Sequence, residues 1–259
     1  MKRLSQLSRS IAGNVALITG AASGMGKATA RLFADEGARL AIVDIDEAGL
    51  HSLTEELKAN DVDVLPIAAD CASQTAVEAT VHEAADHFGA LDILVNNAGL
   101  VLPSALDYQG YDDSWQASMN VMANAQQWAI RAALPYLQES ENPRVVNIAS
   151  TEGLGATPHN SAYVAAKHAS IGLTRAMAVD LGKQGITVNC ICPGPIHTAI
   201  TAGISDDDKA TFTRRRTALR RYGSPEEVAH MTLSLVLPSA SFITGTVIPV
   251  DGGLTIRNA

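Results

Sequence analysis

Cysteine is scarce in this chain, and the few cysteines present are not arranged for a disulfide or a metal site. Cys71, Cys190 and Cys192 are the three cysteines among 259 residues. Their number and spacing match neither a disulfide framework nor a tetrahedral metal site, so we expect no bound metal. Cys190 and Cys192 flank Ile191 in an apolar run, so their side chains point the same way and are expected to pack as small hydrophobic groups.

An excess of positive charge and long apolar segments are also missing. The formal net charge is -8 at pH 7, which argues against a nucleic-acid binder because such proteins need a basic surface to match phosphates. No apolar run reaches the roughly eighteen residues that a transmembrane helix requires. Lys2, Arg3 and Arg9 lie near the N-terminus, but no apolar signal segment follows them. We expect a soluble cytoplasmic protein that binds neither nucleic acid nor membranes.

Aromatic residues make up only 4% of the chain, whereas hydrophobic residues of all kinds make up 47%. A core of small and branched aliphatic side chains is typical of parallel strands covered by closely packed helices. The length suits one large α/β domain, and no repeat or linker divides it. We therefore predict a short N-terminal arm at residues 1–12 and a single domain at residues 13–259.

Short β-rich runs alternate with longer helical patterns along this domain. The predicted strands cover residues 15–19, 39–44, 62–68, 91–96, 144–150, 186–192 and 246–250. The predicted helices cover residues 24–36, 46–59, 77–88, 112–137, 162–183 and 225–237. Such alternation implies right-handed crossovers and a Rossmann-type, doubly wound parallel sheet of seven strands with helices on both faces.

A glycine-rich turn joins the first predicted strand to the first predicted helix. Residues 19–26 have the spacing T-G-x-x-x-G-x-G. Glycines let the backbone turn sharply and approach a pyrophosphate, and the helix that begins there offers free amide donors. Glycines also occur in loops merely to make a bend, but the location within a βαβ unit favours a dinucleotide site. The candidate cofactor-binding residues of this turn are Gly20, Ser23, Gly24, Met25 and Gly26.

Asp44 ends the second predicted strand, eighteen residues beyond Gly26. A carboxylate at this place can accept hydrogen bonds from the adenosine ribose hydroxyls and repels a 2'-phosphate. Neither Ser23 nor Ile45 offers a cation to neutralise that phosphate, so the sequence predicts NAD as the cofactor. The alternative is that Asp44 only caps the next helix.

Tyr163 and Lys167 are four residues apart on a predicted helix, and Ser150 precedes them. Residues at i and i+4 project from one helix face, so a phenol and an ammonium can converge there. The ammonium is expected to lower the pKa of the phenol, which makes Tyr163 a better general base or acid. Ser150 can hold the same substrate oxygen. The pattern Y-x-x-x-K also occurs by chance in many helices, so it does not by itself assign catalysis.

Taken together, these motifs resemble the short-chain dehydrogenase/reductase family over about residues 14–254. The motifs that recur in family order are the glycine-rich turn, Asp70, the run Asn96-Asn97-Ala98-Gly99, Asn120, Ser150, Tyr163-x-x-x-Lys167 and Pro193-Gly194-Pro195-Ile196-His197-Thr198. The set is far more specific than any one of its members. The chain departs from the family's commonest pattern at Met25, and Thr151-Glu152 follow the serine.

The resemblance implies a catalytic tetrad of Asn120, Ser150, Tyr163 and Lys167. In this family the tyrosine exchanges the proton of the substrate, the serine orients the substrate oxygen, and the lysine lowers the pKa of the phenol and holds the nicotinamide ribose. Asn120 would position a water in a proton relay. From the residues alone, Asn120 would be interpreted as a helix-interior amide that bonds to the backbone.

The resemblance also implies a set of cofactor contacts beyond the ends of the strands. Asp70 would lie near the adenine amino group, and Asn96 would tie neighbouring strands together. The other implied contacts are Cys71, Asn97, Ala98, Gly99, Tyr163, Lys167, Pro193, Gly194, Ile196 and Thr198.

The function implied is an NAD-dependent dehydrogenase that oxidises a secondary alcohol such as a sugar, polyol, hydroxy acid or cyclic alcohol, reversibly. The alternatives are a carbonyl or 3-oxoacyl reductase and a non-catalytic NAD(H)-binding sensor. A sensor would be expected to lose the proton-transfer residues, which this chain keeps.

The resemblance places a substrate lid at about residues 199–222, which contain Asp206-Asp207-Asp208, Arg214-Arg215-Arg216 and Arg220-Arg221. Arginines recognise anionic groups, so an anionic substrate is one possibility. The interpretation we favour is that these charges cap and solvate a surface helix. Glu152 and His159 are candidates to face polar groups of the substrate. Alanine-rich helices at 112–137 and 162–183 match those that form tetramers in relatives, so we expect a homotetramer.

Overall fold

A computed structural model describes residues 6–258 and contains one parallel sheet of seven strands. The strands are β1 (Val15–Thr19), β2 (Arg39–Asp44), β3 (Val64–Ala68), β4 (Ile93–Asn96), β5 (Arg144–Ile148), β6 (Thr187–Pro193) and β7 (Val247–Val250). Their spatial order is β3-β2-β1-β4-β5-β6-β7, and every pair is parallel. The predicted Rossmann-type sheet is therefore confirmed.

The sheet order reverses between β1 and β4. The chain first runs from β1 outward to β2 and β3, and it then returns to place β4 against the other edge of β1. At such a reversal the connections leave the sheet in opposite directions, which opens a crevice beyond the carboxyl ends of the two strands. The turns after β1 and β4 form the walls of that crevice.

Eight α-helices accompany the strands in the described part of the chain. They are α1 (Gly24–Asp35), α2 (Glu47–Lys58), α3 (Gln74–Phe88), α4 (Tyr111–Met119), α5 (Ala125–Glu139), α6 (Ser161–Leu181), α7 (Asp206–Arg216) and α8 (Pro225–Val236). Side chains of α1, α2 and α8 pack with one face of the sheet, and side chains of α3, α5 and α6 pack with the other. Strand residues alternate between the two cores: Ala16 and Ile18 belong to the first, Val15 and Leu17 to the second. Helices thus cover both faces, as predicted.

The single helix predicted at residues 112–137 is interrupted. A π-helical turn at Asn120–Asn124 separates α4 from α5, and the amide of Ala125 donates to the carbonyl of Asn120. A π-turn inserts an extra residue into the helical ladder, and such turns are frequent at functional sites. One extra residue in the π-helical turn hardly changes the spacing of hydrophobic residues along the sequence. The pattern therefore predicted a single helix instead of two.

The described part of the predicted arm at residues 1–12 includes residues that pack on the domain. Residues 1–5, including Lys2 and Arg3, lie outside the described residues, as does Ala259. Ile11 is fully buried in the core, and the carbonyl of Ser8 accepts a hydrogen bond from Ser239. The domain therefore begins before residue 13. None of the helices in residues 6–258 combines the length and the apolar character needed to cross a bilayer.

The glycine-rich turn depends on close contact between two of its glycines. Gly20 adopts a left-handed conformation with φ 66°, and a Cβ added to Gly26 would lie 2.0 Å from the carbonyl oxygen of Gly20. Gly26 is buried in α1. It is therefore needed to let the first helix approach the end of β1.

We predict that Gly26→Ala destabilises the protein by about 1–3 kcal/mol, because the added methyl forces the turn away from the helix. The matched control is Gly172→Ala in α6, where a Cβ meets nothing within 4 Å. That change should stabilise the fold by about 0.5–1 kcal/mol through backbone entropy. Urea unfolding of both variants measures the difference, and equal stabilities would contradict the packing role of Gly26.

Candidate active site

The crevice at the reversal of the sheet is a cavity of about 320 Å³, which we call the switch-point cavity. It gathers thirteen of the predicted cofactor-binding residues. These are Gly20, Ser23, Gly24, Met25, Asp44, Asp70, Cys71, Asn97, Ala98, Gly99, Tyr163, Lys167 and Thr198. Residues that are distant in sequence meet here because the carboxyl ends of parallel strands share one edge of the sheet.

The turns on either side of the reversal are joined by hydrogen bonds. The hydroxyl of Thr19 accepts from the amides of Asn97 and Ala98, both at 3.0 Å. The side-chain amide of Asn97 donates to the carbonyls of Thr19 at 2.9 Å and Gly20 at 3.0 Å. The side-chain nitrogen of Asn97 thus holds the glycine-rich turn in place.

Asp44 presents a carboxylate at the end of β2. Its two oxygens accept from the backbone amides of Ala22 at 2.9 Å and Asp46 at 3.0 Å. The next helix is capped by Asp46, whose side chain accepts from Gly49, so Asp44 is not the capping residue. Each carboxylate oxygen of Asp44 keeps a lone pair for a further donor.

Cys71 and Asp70 lie at the far end of the same cavity, after β3. Burial raises the pKa of the Cys71 thiol to about 12, and the carboxylates of Asp44 and Asp70 add to the effect. The thiol therefore stays protonated and acts as a small wall. The carboxylate of Asp70 accepts from the amide of Ala72 and shapes the turn.

A second cavity of about 490 Å³ adjoins the first, and we call it the Ser150 cavity. Its polar wall contains Ser150, Glu152, Asn160 and Tyr163, and the lid contributes Ile204 and Phe212 to its apolar wall. Pro193, Gly194 and Ile196, which were predicted to contact the cofactor, line this cavity and not the switch-point cavity. They lie at the end of β6 and directly after it, whereas Thr198, further along the same segment, lines both cavities.

Tyr163 lines both cavities, together with Met25, Ala149, Thr198 and Ile200. Its phenol therefore lies where a ligand in one cavity meets a ligand in the other. Lys167 is buried one turn along the same helix, and its ammonium donates to the carbonyl of Ile148 at 2.8 Å. The ammonium nitrogen lies 5.6 Å from the centre of the Tyr163 ring.

The expectation that Lys167 lowers the pKa of Tyr163 is wrong for the protein as the structure has it. Burial raises the pKa of the phenol, a hydrogen bond with Ser150 opposes that rise, and the carboxylate of Glu152 reinforces it. Burial also lowers the pKa of Lys167 to about 8. Desolvation is the largest cause of both shifts, and it favours the neutral form of each group.

Asn120 lies in the π-turn, outside the lining of both cavities. Its side-chain oxygen accepts from the amides of Gln116 at 2.8 Å and Asn124 at 2.9 Å. Its neighbour Val121 does line the switch-point cavity. The π-turn thus points Val121 at the cavity and engages the Asn120 side chain within the helix.

Asn96 ties strands together, as the resemblance implied. Its side chain donates to Asn147 of β5 at 2.9 Å, and Asn147 donates to Thr174 of α6 at 2.9 Å. This buried polar chain connects β4 to the helix that carries Tyr163 and Lys167. The sequence analysis did not predict Asn147 or Thr174, since nothing in a strand pattern marks a buried amide.

Several residues of the switch-point cavity were missed by the sequence analysis. They are Ile45, Ala69, Leu100, Val121, Ile148, Ala149, Ala199 and Ile200. Three of them, Ile45, Ala69 and Ala149, directly follow strands β2, β3 and β5. Position immediately after a predicted strand was a signal that could have found Ile45 and Ala69, whereas Ala149 lies within the strand predicted at residues 144–150.

The arginines of the predicted lid lie away from both cavities. Arg214, Arg215 and Arg216 are exposed and form the last turn of α7, whose first turn carries Asp206, Asp207 and Asp208. This arrangement complements the helix dipole at both ends. Arg221 pairs with Glu227 at 2.6 Å. The interpretation as charges that cap and solvate a surface helix agrees with these positions.

Curated relatives match the chain over nearly its full length. A family model described as enoyl-(acyl carrier protein) reductase matches residues 20–255. The (2S)-((R)-hydroxy(phenyl)methyl)succinyl-CoA dehydrogenase subunit BbsD of Thauera aromatica is 39% identical, over 95% of this chain and 98% of the relative. The 3-oxoacyl-(acyl-carrier-protein) reductase FabG of Thermotoga maritima is 36% identical, over 94% of this chain and 98% of the relative.

Solved structures agree with the fold, and some of them contain a nicotinamide nucleotide. Carveol dehydrogenase from Mycobacterium avium, in complex with NAD, superposes with a TM-score of 0.91 at 26% identity, over 95% of this chain and 99% of that chain. A blue fluorescent protein from a metagenomic library, in complex with NADPH, superposes with a TM-score of 0.88 at 32% identity, over 95% and 99% of the two chains. Structural neighbours thus bind nicotinamide nucleotides of both kinds.

The lowered pKa of Lys167 predicts a pH dependence of stability. Unfolding returns the pKa of the amine from about 8 to its ordinary value of 10.5, so below pH 8 folding carries the full cost of burying the charge. Between these values the unfolded chain binds more protons, and stability rises with pH by up to about 1.4 kcal/mol per unit. Lys167→Met has no amine to titrate at this position. From pH 8 to pH 10 the free energy of unfolding of the wild type should therefore rise relative to that of the variant.

Denaturant unfolding at several pH values measures this gain. The exposed Lys183→Met, in the turn after α6, is the matched control and should keep a constant difference from the wild type. If the difference in free energy of unfolding between wild type and Lys167→Met is also constant, the buried lysine keeps its charge from pH 8 to pH 10.

Proposed function

Because the chain belongs to the short-chain dehydrogenase/reductase family and is an oxidoreductase acting on CH–OH groups, we propose that it is an NAD-dependent dehydrogenase that reversibly oxidises a secondary alcohol to a carbonyl compound. The observation that carries the proposal is the position of Tyr163. This phenol lines both the switch-point cavity and the Ser150 cavity, with Lys167 buried on the same helix. A proton-transfer group is thus placed between a nucleotide site and an alcohol site.

The residues of the Ser150 cavity supply the proton chemistry. Ser150 is buried and lines the same cavity as Tyr163, on whose pKa it acts, so both hydroxyls can hold one substrate oxygen. Tyr163 takes the proton of the alcohol as the carbonyl forms and returns it in the reverse direction. Lys167 holds positive charge beside the phenol, which favours the phenolate during transfer. The carbonyl of Ile148 fixes the position of that ammonium.

The switch-point cavity fits a dinucleotide. Helix α1 begins at this cavity, without a side-chain cap and without an acidic residue in its first turn. The backbone amides of that first turn are therefore free to bind a pyrophosphate. Gly20 and Gly24 both have left-handed backbones that bring the main chain to the cavity. When bound, an oxidised nicotinamide supplies the hydride acceptor and a positive charge near the phenol, so that alcohol and oxidised nucleotide become carbonyl, reduced nucleotide and a proton.

Asp44 supports NAD in preference to NADP. Its carboxylate lines the cavity and keeps lone pairs for ribose hydroxyls, whereas a 2'-phosphate there would be repelled. Among the residues lining this cavity, the only cation is Lys167. It contacts β5, three strands away from β2 in the sheet, and is too distant to neutralise such a phosphate.

The second candidate function is a carbonyl or 3-oxoacyl reductase. It is favoured by the 3-oxoacyl-(acyl-carrier-protein) reductase among the relatives and by the description of the matching family. The same Ser150, Tyr163 and Lys167 would serve, with Tyr163 donating the proton. A purely nucleotide-binding sensor is not favoured, since such a protein has no use for a buried lysine beside a tyrosine between two cavities.

We also propose that the enzyme assembles as a homotetramer. Large apolar side chains on the surface support self-association: Val179 on α6 is 81% exposed, and Phe242, just before β7, is fully exposed. Proteins most often cover such apolar surfaces by forming homo-oligomers with closed point-group symmetry.

We predict that Tyr163→Phe lowers kcat/KM at least about 100-fold, because the proton of the substrate loses its acceptor. NADH affinity should be nearly unchanged, since the ring is kept. NADH absorbance follows turnover and NADH fluorescence follows binding. Tyr108→Phe, at an exposed site outside both cavities, is the matched control. Near-normal turnover by Tyr163→Phe would refute the mechanism.

We predict that the double variant Asp44→Ala and Ile45→Arg reverses the nucleotide preference. Loss of the charge-assisted hydrogen bonds should lower kcat/KM with NAD by about 10- to 100-fold, and the new arginine should raise it with NADP. Initial rates with both nucleotides measure the ratio. Glu47→Gln, a nearby exposed carboxylate outside the cavity, should leave it unchanged. A wild-type preference for NADP would overturn the assignment of the cofactor.

A further inference from the structure

We propose that Glu152 is a substrate-recognition residue, and that the preferred substrates are neutral alcohols bearing a second hydroxyl next to the reacting carbinol, as in vicinal diols and polyols. Glu152 would accept a hydrogen bond from that second hydroxyl while Ser150 and Tyr163 bind the first. The inference rests on the proposed dehydrogenase function and specifies its substrate class.

The backbone holds Glu152 beside the catalytic serine. Glu152 lies in a single 3-10 turn at Thr151–Gly153, directly after Ser150, and its amide donates to the Ser150 hydroxyl at 3.1 Å. Gly153 packs tightly on α6, since a Cβ added to it would lie 2.8 Å from the carbonyl oxygen of Lys167. The turn is therefore braced against the helix that carries Tyr163, and Glu152 has a defined place in the Ser150 cavity.

The carboxylate of Glu152 is only half satisfied within the protein. One oxygen, Oε1, accepts from the Thr157 hydroxyl at 2.7 Å. The other, Oε2, is buried and has no hydrogen-bond partner among the described residues. A buried carboxylate oxygen without a donor is costly. A donor carried by a ligand in this cavity would remove that cost, so ligands bearing such a donor are favoured over ligands without one.

A second orphaned acceptor lines the same cavity. The side-chain oxygen of Asn160 is buried and also lacks a partner within residues 6–258. Asn160 immediately precedes α6, three residues before Tyr163. Two acceptors thus adjoin the catalytic serine and tyrosine, which suits a substrate with more than one hydroxyl.

The charge of the Ser150 cavity selects against anions. Glu152 and Asp208 are its charged lining residues, and no lysine, arginine or histidine contributes to the lining. His159, the other sequence candidate, lines a separate groove with His168. The carboxylate of Glu152 also acts on the phenol of Tyr163 through space, which places its charge close to the reacting oxygen. An anionic group next to the carbinol would be repelled there.

Matched substrate pairs test the proposal. kcat/KM is measured for cis-1,2-cyclohexanediol against cyclohexanol, and for 2,3-butanediol against 2-butanol, so that each pair differs by one hydroxyl. For the wild type we expect a preference for the diol of about 10- to 100-fold, the ratio supplied by one hydrogen bond to a charged group. In Glu152→Ala the ratio of kcat/KM for the diol to kcat/KM for the simple alcohol should fall to near 1, because any effect of the lost carboxylate on the pKa of Tyr163 acts on both members of a pair alike.

Two further variants separate recognition from folding and from charge. Glu152→Gln keeps an acceptor but not the charge, so it should retain part of the diol preference and should improve turnover of 2-hydroxycyclohexanecarboxylate. Asp207→Asn removes a neighbouring carboxylate of α7 that lies outside the cavity, and it should match the wild type. Circular dichroism melts establish that each variant is folded.

An unchanged ratio of diol to simple alcohol in Glu152→Ala, or a wild-type preference for the anionic analogue, would overturn the proposal. Neither result would affect the dehydrogenase function, which depends on Tyr163-dependent turnover of any alcohol. If no alcohol reduces NAD, the proposed function fails by itself. Calorimetric titration of the diol in the presence of NADH then still tests Glu152, because equal diol affinity in wild type and Glu152→Ala would refute its role.

Discussion

Four hydrogen bonds join the turn after β1 to the turn after β4, and the site is built around them. The Thr19 hydroxyl and the Asn97 amide each make two of these bonds. They bridge the point where the order of the strands reverses, which is the one place in the sheet where the loops diverge. With the glycine-rich turn held there, the start of α1 faces the crevice and Asp44 reaches it from the next strand.

Burial governs the electrostatics of the catalytic residues. Lys167 and Tyr163 belong to one helix packed on the sheet, and loss of water raises the pKa of the phenol while lowering that of the amine. Both shifts favour the neutral forms. Exclusion of water also makes the unpaired oxygen of Glu152 a place where a ligand that carries a hydrogen-bond donor is favoured. In an exposed loop, water would hydrate the same oxygen at no cost. Desolvation therefore connects the proton chemistry to the proposed choice of substrate.

Predictions from local pattern succeeded where one residue or one short spacing decides the outcome. The alternation of strands and helices was found almost completely, and the Y-x-x-x-K spacing on α6 brought Tyr163 and Lys167 together as expected. Predictions failed where the result depends on what packs against a segment. The π-turn at Asn120–Asn124 and the burial of Ile11 both follow from neighbours that a local pattern does not contain.

The sequence by itself determined the fold class and the location of the glycine-rich turn, since these follow from periodicity and from a motif a few residues long, and it proposed Tyr163 and Lys167 for proton transfer. Only the tertiary structure decided which glycine packs and which faces the cavity, which direction the pKa of Tyr163 takes, and which charges line the Ser150 cavity. Arg214, Arg215 and Arg216 stand out in the sequence but lie on the surface, whereas Glu152 is half buried beside Ser150 and His159, proposed with it, lines a separate groove. The physical reason is that desolvation and side-chain pairing depend on every neighbour in space, and most of those neighbours come from other strands.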